Sequence, residues 1–315
     1  MRLFFIITGF LICTFLHAQE LPVYNEYHLN KSLINPAIVG SEPCTWFKAT
    51  DRHQWLGIKE APNIQTLSFE TSLYNKKATR ETDKKIHGIG AYVYHDKNGA
   101  YSTLGAQVSY AYHFYISKAR SIKMGMGTAF RIYQASLDES GLHGDFDPII
   151  TGGTSSVFQP DVSAGVFIYN QKFYTGFSFT QLLSSPNTSL NNMNPTQHFI
   201  LMGGFLTGTE KDRVRILPST VIKINTNAEK QLDLNAKALV GDTWWAGLSF
   251  RHNFNTLPGK PTAILPMIGI NIGELSIGYA LELTPSRMVK YNYGTHEFSL
   301  SYRLCKDGFR CPVYR

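Results

Sequence analysis

The sequence predicts an all-β chain, a transmembrane antiparallel β-barrel of about fourteen strands with an irregular amino-terminal arm. Three observations predict it. Apolar residues recur with a period of two in segment after segment, the composition is rich in aromatics and poor in charge, and long and short connections sort by parity.

The period is clearest in the final hairpin. Leu275, Ile277, Tyr279, Leu281 and Leu283 share one face, opposite Glu274, Ser276, Gly278, Ala280 and Glu282. In the second arm His296, Phe298, Leu300, Tyr302 and Leu304 alternate with Glu297, Ser299, Ser301 and Arg303. Such alternation marks half-buried strands. An oily face needs an apolar neighbour, which is a second sheet in a soluble sandwich and lipid in a membrane barrel. The pattern repeats upstream. Ala106, Val108, Tyr110, Tyr112, Phe114 and Ile116 oppose Gln107, Ser109 and His113; Ile122, Met124, Met126, Phe130 and Ile132 oppose Lys123, Gly125, Gly127 and Arg131. Leu232, Leu234, Ala236, Ala238 and Val240 oppose Asp233, Asn235 and Lys237. The small or charged sets are expected to face a polar lumen, where opposite charges pair and stay hydrated.

Composition favours lipid. The chain is 13% aromatic and 43% hydrophobic but only 17% charged, whereas soluble domains carry about 25% charged residues. Beyond residue 18 no apolar run approaches the ~18 residues of a spanning helix. The net charge of +7 is spread along the chain, and with export it argues against a nucleic-acid partner.

In chain order, residues 1–18 read as a secretory signal peptide, with Arg2, an apolar run from Leu3 to Leu16, and expected cleavage after Ala18. Residues 19–43 read as an amino-terminal periplasmic arm or plug. Residues 44–304 form the barrel, with strand segments at 44–57, 63–75, 85–97, 101–117, 121–137, 157–170, 172–184, 196–208, 213–226, 230–241, 243–255, 262–272, 274–284 and 294–304. Residues 305–315 are a periplasmic tail. The long connections 138–156, 185–195 and 285–293 each follow an odd-numbered segment, and those after even-numbered segments are mostly tight. A barrel puts all odd-to-even connections at one end, and long loops at one end with tight turns at the other mark an outer-membrane barrel. The segment 76–84 is the exception.

Cys305 and Cys311 flank a short tail and are the candidate disulfide in an oxidising compartment, with Cys44 left as a spare thiol. No CxxC or HxxxH spacing points to a metal site. No nucleophile motif, Walker loop or dinucleotide fingerprint is complete, so no cofactor and no enzymatic activity are expected. Gly125-Met126-Gly127 lies in a strand, where glycine allows close packing. Asp138, Glu139, Asp145 and Asp147 cluster in the longest loop; without EF-hand spacing they read as a solvated acidic loop rather than a calcium site.

Tyr24-Asn25-Glu26-Tyr27, Leu33-Ile34-Asn35-Pro36-Ala37-Ile38-Val39-Gly40 and Arg52-His53-Gln54-Trp55-Leu56-Gly57 with Ala61-Pro62 resemble the PorP/SprF membrane proteins of the type IX secretion system of Bacteroidetes. Gly88-Ile89-Gly90 with Asp96-Lys97-Asn98-Gly99, Gln159-Pro160-Asp161, and Gly294-Thr295-His296-Glu297 with Tyr302-Arg303 extend the resemblance over the mature chain. It implies an outer-membrane barrel that partners a secreted surface protein or the secretion and gliding apparatus, with no catalytic residues.

Asn35, Pro36, Arg52, Gln54 and Trp55 are the candidate partner-binding residues, since Trp and Arg are over-represented at binding hot spots. Asn35-Pro36 is expected to turn the arm back under the first strand. Alternatively, Trp55 joins Trp46 and Trp244-Trp245 in the interfacial aromatic belts. The leading expectation is a non-enzymatic outer-membrane barrel that anchors, presents or helps export a secreted adhesin. Its partners would be outer-membrane lipid, that adhesin and periplasmic secretion subunits. The alternative is a diffusion channel or hydrophobic-solute transporter.

Overall fold

The computed structural model describes residues 30–74, 85–138, 154–183, 196–209, 211–226, 229–254, 262–285 and 290–305. Residues 1–18, expected to be a signal peptide, residues 19–29, residues 139–153 of the acidic loop and the tail with Cys311 lie outside the described residues.

The described residues form fourteen strands: β1 (Cys44–His53), β2 (Asn63–Tyr74), β3 (Ile86–Asn98), β4 (Tyr101–Ser117), β5 (Ile122–Asp138), β6 (Thr154–Tyr169) and β7 (Phe173–Thr180), then β8 (His198–Phe205), β9 (Val214–Asn225), β10 (Lys230–Val240), β11 (Trp244–Asn253), β12 (Ala263–Ile272), β13 (Leu275–Glu282) and β14 (Thr295–Cys305). Each pairs antiparallel with its chain neighbours, and β1 pairs with β14 from Cys44 opposite Cys305 to His53 opposite His296, so the sheet closes into a barrel. Two short 3-10 turns, Lys31–Leu33 and Pro36–Ile38, precede β1. Among the described residues no helix is long and apolar enough to cross a membrane.

Every expected segment contains a strand, with ends differing by a few residues. One shift has a local cause: β1 stops at His53, not at 57, because Trp55 takes a left-handed backbone at φ 49°, which a strand cannot continue through. At the other end of the barrel, Gly241 and Gly273 reverse the chain at positive φ.

The alternation sorts as expected. On β4, Leu104 and Val108 are both 59% exposed on the outside, while Gln107 at 3% points in. Leu67, Met126, Leu234, Leu248, Ile268 and Phe298 continue the oily outer wall. Adjacent tryptophans on one strand must take opposite faces, so Trp244 lies outside and Trp245 is buried inside under Lys237 Nζ, 4.2 Å from its ring centroid. Trp46 also points inward and donates from Nε1 to Glu42. Of these three, only Trp244 suits an interfacial belt.

The cysteine expectation is corrected. Cys305 is bonded to Cys44, not to Cys311. The two sit at matching positions across the β1–β14 seam, Cα atoms 4.3 Å apart, which sequence separation hides and closure creates. The bond staples the first strand to the last. Peptide mapping of the unreduced protein should therefore recover Cys44 linked to Cys305; a Cys305–Cys311 peptide as the main product would contradict this register.

Candidate functional site

The inside of the barrel holds residues 30–43, the described part of the arm. Asn35 caps the second 3-10 turn, its Oδ1 accepting from Ala37 N at 2.9 Å, and Pro36 occupies the first position, where its missing N–H costs nothing. Asn35 Nδ2 donates to the carbonyls of Val166 on β6 (3.1 Å) and Phe177 on β7 (3.4 Å). Ser178 Oγ donates to Ile34 O at 2.6 Å, and Asn30 Nδ2 to Ser68 Oγ at 3.0 Å. His113 Nε2 lies 2.8 Å from Val39 O, and a carbonyl only accepts, so this nitrogen carries the proton. The other ring nitrogen then accepts from the Tyr169 hydroxyl at 3.1 Å.

Apolar packing adds to these tethers. Ile34, Ala37 and Ile38 join Phe167, Tyr169, Tyr174, Ile200, Met202, Leu217 and Val221 of the inner wall in one cluster. On the opposite side Leu33 packs with Ile64, Tyr92, Tyr94 and Tyr133. Each buried Leu or Ile contributes roughly 1.5–3 kcal/mol of gross transfer free energy. The expectation of a polar lumen thus holds at Asp233, Asn235 and Lys237 on β10 and at Glu297, Ser299 and Ser301 on β14, and fails at Phe167, Tyr169, Tyr174, Ile200, Met202, Leu217 and Val221 on β6 to β9, where residues 34–38 pack against the wall.

Glycines make room. A Cβ on Gly88 would strike the Val39 carbonyl, one on Gly127 the backbone of Pro36 and Ala37, and one on Gly165 the Asn35 side chain. All three face inward, so the wall and the arm approach backbone to backbone. Asn35 and Pro36 are accordingly internal parts: Asn35 is 1% exposed and faces the wall rather than a partner. The arm lies across the lumen against β4, β5 and β6, not folded beneath the first strand as expected. Lys31, also buried, sits 4.7 Å over the Tyr174 ring. Burial, aided by the Lys237 charge and opposed by Glu42, lowers its ammonium from 10.5 to about 7.

Toward the opposite end, inward charges pair across strands. Arg52 reaches Glu282 at 3.1 Å and Glu297 at 3.7 Å. Arg251 reaches the same Glu282 at 3.6 Å and Asp233 at 3.1 Å. The chain of charge runs along the inner wall from β1 through β14 and β13 to β11 and β10. Arg52 is 3% exposed, so it braces the wall, and removing one partner of such a network costs about 3–5 kcal/mol. Its Nη1 also donates to Gln54 Oε1 at 3.0 Å.

Gln54 and Trp55 begin the 54–62 loop, which is tied to the strand that follows the last long connection. Leu56 N donates to Gly294 O, Tyr293 N to Leu56 O, and Trp55 N to Thr295 Oγ1. The tie presents Leu56 (45% exposed), Tyr291 (77%) and Tyr293 (78%) on one rim. Of the five expected contact residues, Trp55 and Gln54 reach this rim and Arg52 supports it from inside. Sequence reasoning missed His113, Tyr169 and Ser178 as holders of the arm. The inward register of Gly88, Gly127 and Gly165 was the available signal.

Among the described residues no group of three His, Cys, Asp or Glu side chains is placed to hold a metal ion. The family model for the type IX secretion system membrane protein PorP/SprF matches residues 16–302. No curated protein matches the chain. Among solved structures, the chain is similar to a Pseudomonas aeruginosa FadL homologue at 10% identity and TM-score 0.46, covering 91% of this chain and 95% of that one. It is similar to the Acinetobacter baumannii outer-membrane protein Omp33 at 7% identity and TM-score 0.46, covering 85% and 100%. A deletion mutant of the monoaromatic hydrocarbon channel TodX gives 10% identity and TM-score 0.49, covering 90% and 95%.

With the arm seated, the wild-type protein in planar bilayers should show little steady conductance. Gly127→Leu, which collides with Ala37, should raise it several-fold. A large, steady wild-type pore would contradict the plug.

Proposed function

Because the chain belongs to the PorP/SprF family of type IX secretion system membrane proteins, we propose that it works as a wall and not as a pore: a non-enzymatic outer-membrane anchor that holds, presents or helps export one cognate secreted surface protein of the adhesin type. Membership and the closed barrel with its oily exterior place it in the outer membrane. The observation that carries the finer reading is the segment 30–43 packed inside the lumen. A diffusion channel needs an open path, and here the arm is held by Asn35, His113 and Ser178 across the lumen.

With the lumen occupied, contact surfaces must lie at the ends. The tight-turn end, with the arm and the tail, would face the periplasm and the secretion subunits. The loop end would face outward. There Trp55, Leu56, Tyr291 and Tyr293 form a semi-apolar rim on a backbone stiffened by the Leu56–Gly294 and Tyr293–Leu56 hydrogen bonds. Preorganised aromatic side chains of this kind suit a protein partner, because little side-chain freedom is lost on docking.

Purification from outer membranes in mild detergent should recover a large secreted protein with the barrel. Replacing Trp55, Tyr291 and Tyr293 together by Ala should cut that recovery at least tenfold while the barrel keeps its heat-modifiable mobility in gels. Reproducible isolation of the barrel alone would contradict the proposal.

A further inference from the structure

The charge that is scattered along the sequence is gathered in space. The two ends of the barrel differ when the described residues of the connections, the approach to β1 and the three strand residues next to each are counted. The loop end carries seven Lys and Arg against seven Asp and Glu. The tight-turn end carries nine against four, an excess of +5.

The four carboxylates of the tight-turn end are engaged locally. Asp212 Oδ2 accepts from Thr209 N at 2.6 Å and from Thr209 Oγ1 at 3.1 Å. Asp242 meets Arg215 at 3.0 Å, Glu274 meets Arg303 at 3.1 Å, and Glu42 accepts from Trp46 Nε1. Lys85, Arg120, Lys172, Lys211 and Arg213 are exposed, and among the described residues none of them makes an ion pair. The backbone beneath much of this charge is fixed. Lys172 O accepts from Leu206 N, Arg213 O from Gly241 N, Thr243 O from Asn271 N and Glu274 O from Arg303 N, so each turn from β6 onward is tied to the next.

The cations ring the mouth of the barrel and not its lipid skirt. On β9 Val214 and Ile216 are 50% and 45% exposed on the outside, which puts Arg213 and Arg215 in the inward register. On β14 Tyr302 and Leu304 face out and Arg303 in. Arg120 and Lys211 lie in the turns themselves. Lipid phosphates beside these strands meet apolar side chains, whereas a partner approaching along the barrel axis meets the cations. Turns this short keep close to the membrane surface, so the partner must come to the mouth. Such a surface selects by sign, because complementary charge steers encounter and like charge is repelled. We infer that the tight-turn mouth docks an acidic surface of a periplasmic protein, with Lys172, Lys211 and Arg213 at the centre of the contact. The inference rests on the proposed orientation, with this end in the periplasm, and names the chemistry of the contact made there.

A benzophenone side chain placed at Gln171, exposed beside Lys172, and irradiated in intact cells making the full-length protein tests it. Mass spectrometry should identify one main adduct, a periplasmic protein whose crosslinked segment is rich in Asp and Glu. Lys172→Gln, Lys211→Gln and Arg213→Gln together should cut the adduct at least tenfold with unchanged heat-modifiable mobility. The charge-keeping set Lys172→Arg, Lys211→Arg and Arg213→Lys should retain it, as should Lys97→Gln with Lys290→Gln at the other end. No adduct, an adduct of phospholipid or peptidoglycan, a crosslinked segment without excess acid, or a yield unaffected by removing the three charges would each overturn the inference. Recovery of the secreted surface protein does not depend on these charges, so its failure with the crosslink intact would count against the proposed function alone.

Discussion

Hydrocarbon offers a strand nothing to hydrogen-bond, so each backbone N–H and C=O inside a membrane must be satisfied by another strand. An open sheet cannot meet that demand, and β1 pairs with β14 because it must. The remaining features follow from closure. Closure brings together residues at the two extremes of the chain, which is why Cys44 finds Cys305 across 261 residues of sequence and why Arg52 finds Glu282 and Glu297. It also creates an inside, and an inside too wide for its own side chains to fill must hold water or protein.

This barrel holds protein. The arm enters as a short irregular segment whose backbone groups cannot all pair with themselves. The wall answers with Ser178 and His113, which reach the Ile34 and Val39 carbonyls, and two carbonyls on β6 and β7 accept from the Asn35 side chain. The same region of wall gives up side chains at Gly88, Gly127 and Gly165 so that the arm can come close. The apolar side chains that meet Ile34, Ala37 and Ile38 come from β6 to β9, while β1, β10, β11, β13 and β14 carry the charge chain. The plug and the charge chain lie toward opposite ends of the lumen.

Much of this was legible in the sequence, and the reasons are local. A period of two is a property of the strand itself, so the strands and the outward sides of β4, β5, β10, β13 and β14 could be read without a structure. Closure follows from composition and loop parity. What could not be read depends on which distant residues share a height on the wall. Cys305 has Cys311 nearby in sequence and Cys44 nearby in space, and only the register of β14 on β1 distinguishes them. Asn35-Pro36 announces a turn, but its position across the lumen depends on glycines in three other strands. The apolar inward residues of β6 to β9 were hidden for the same reason, since Phe167 and Met202 look like misplaced lipid-facing residues until residues 34–38 are set against them.

The family match and the closed barrel support each other at the level of a secretion-system membrane protein, and residues 30–43 pack inside that barrel. The account rests on lipid outside and packed protein inside. Single spin labels placed along residues 103–110 of β4, in liposomes, test both at once through their collision rates with oxygen, which partitions into lipid, and with a water-soluble nickel chelate. Labels at 104, 106, 108 and 110 should respond strongly to oxygen, and those at 103, 107 and 109 should be shielded from both reagents. Inward labels that respond freely to the nickel chelate, or a profile without alternation, would contradict it.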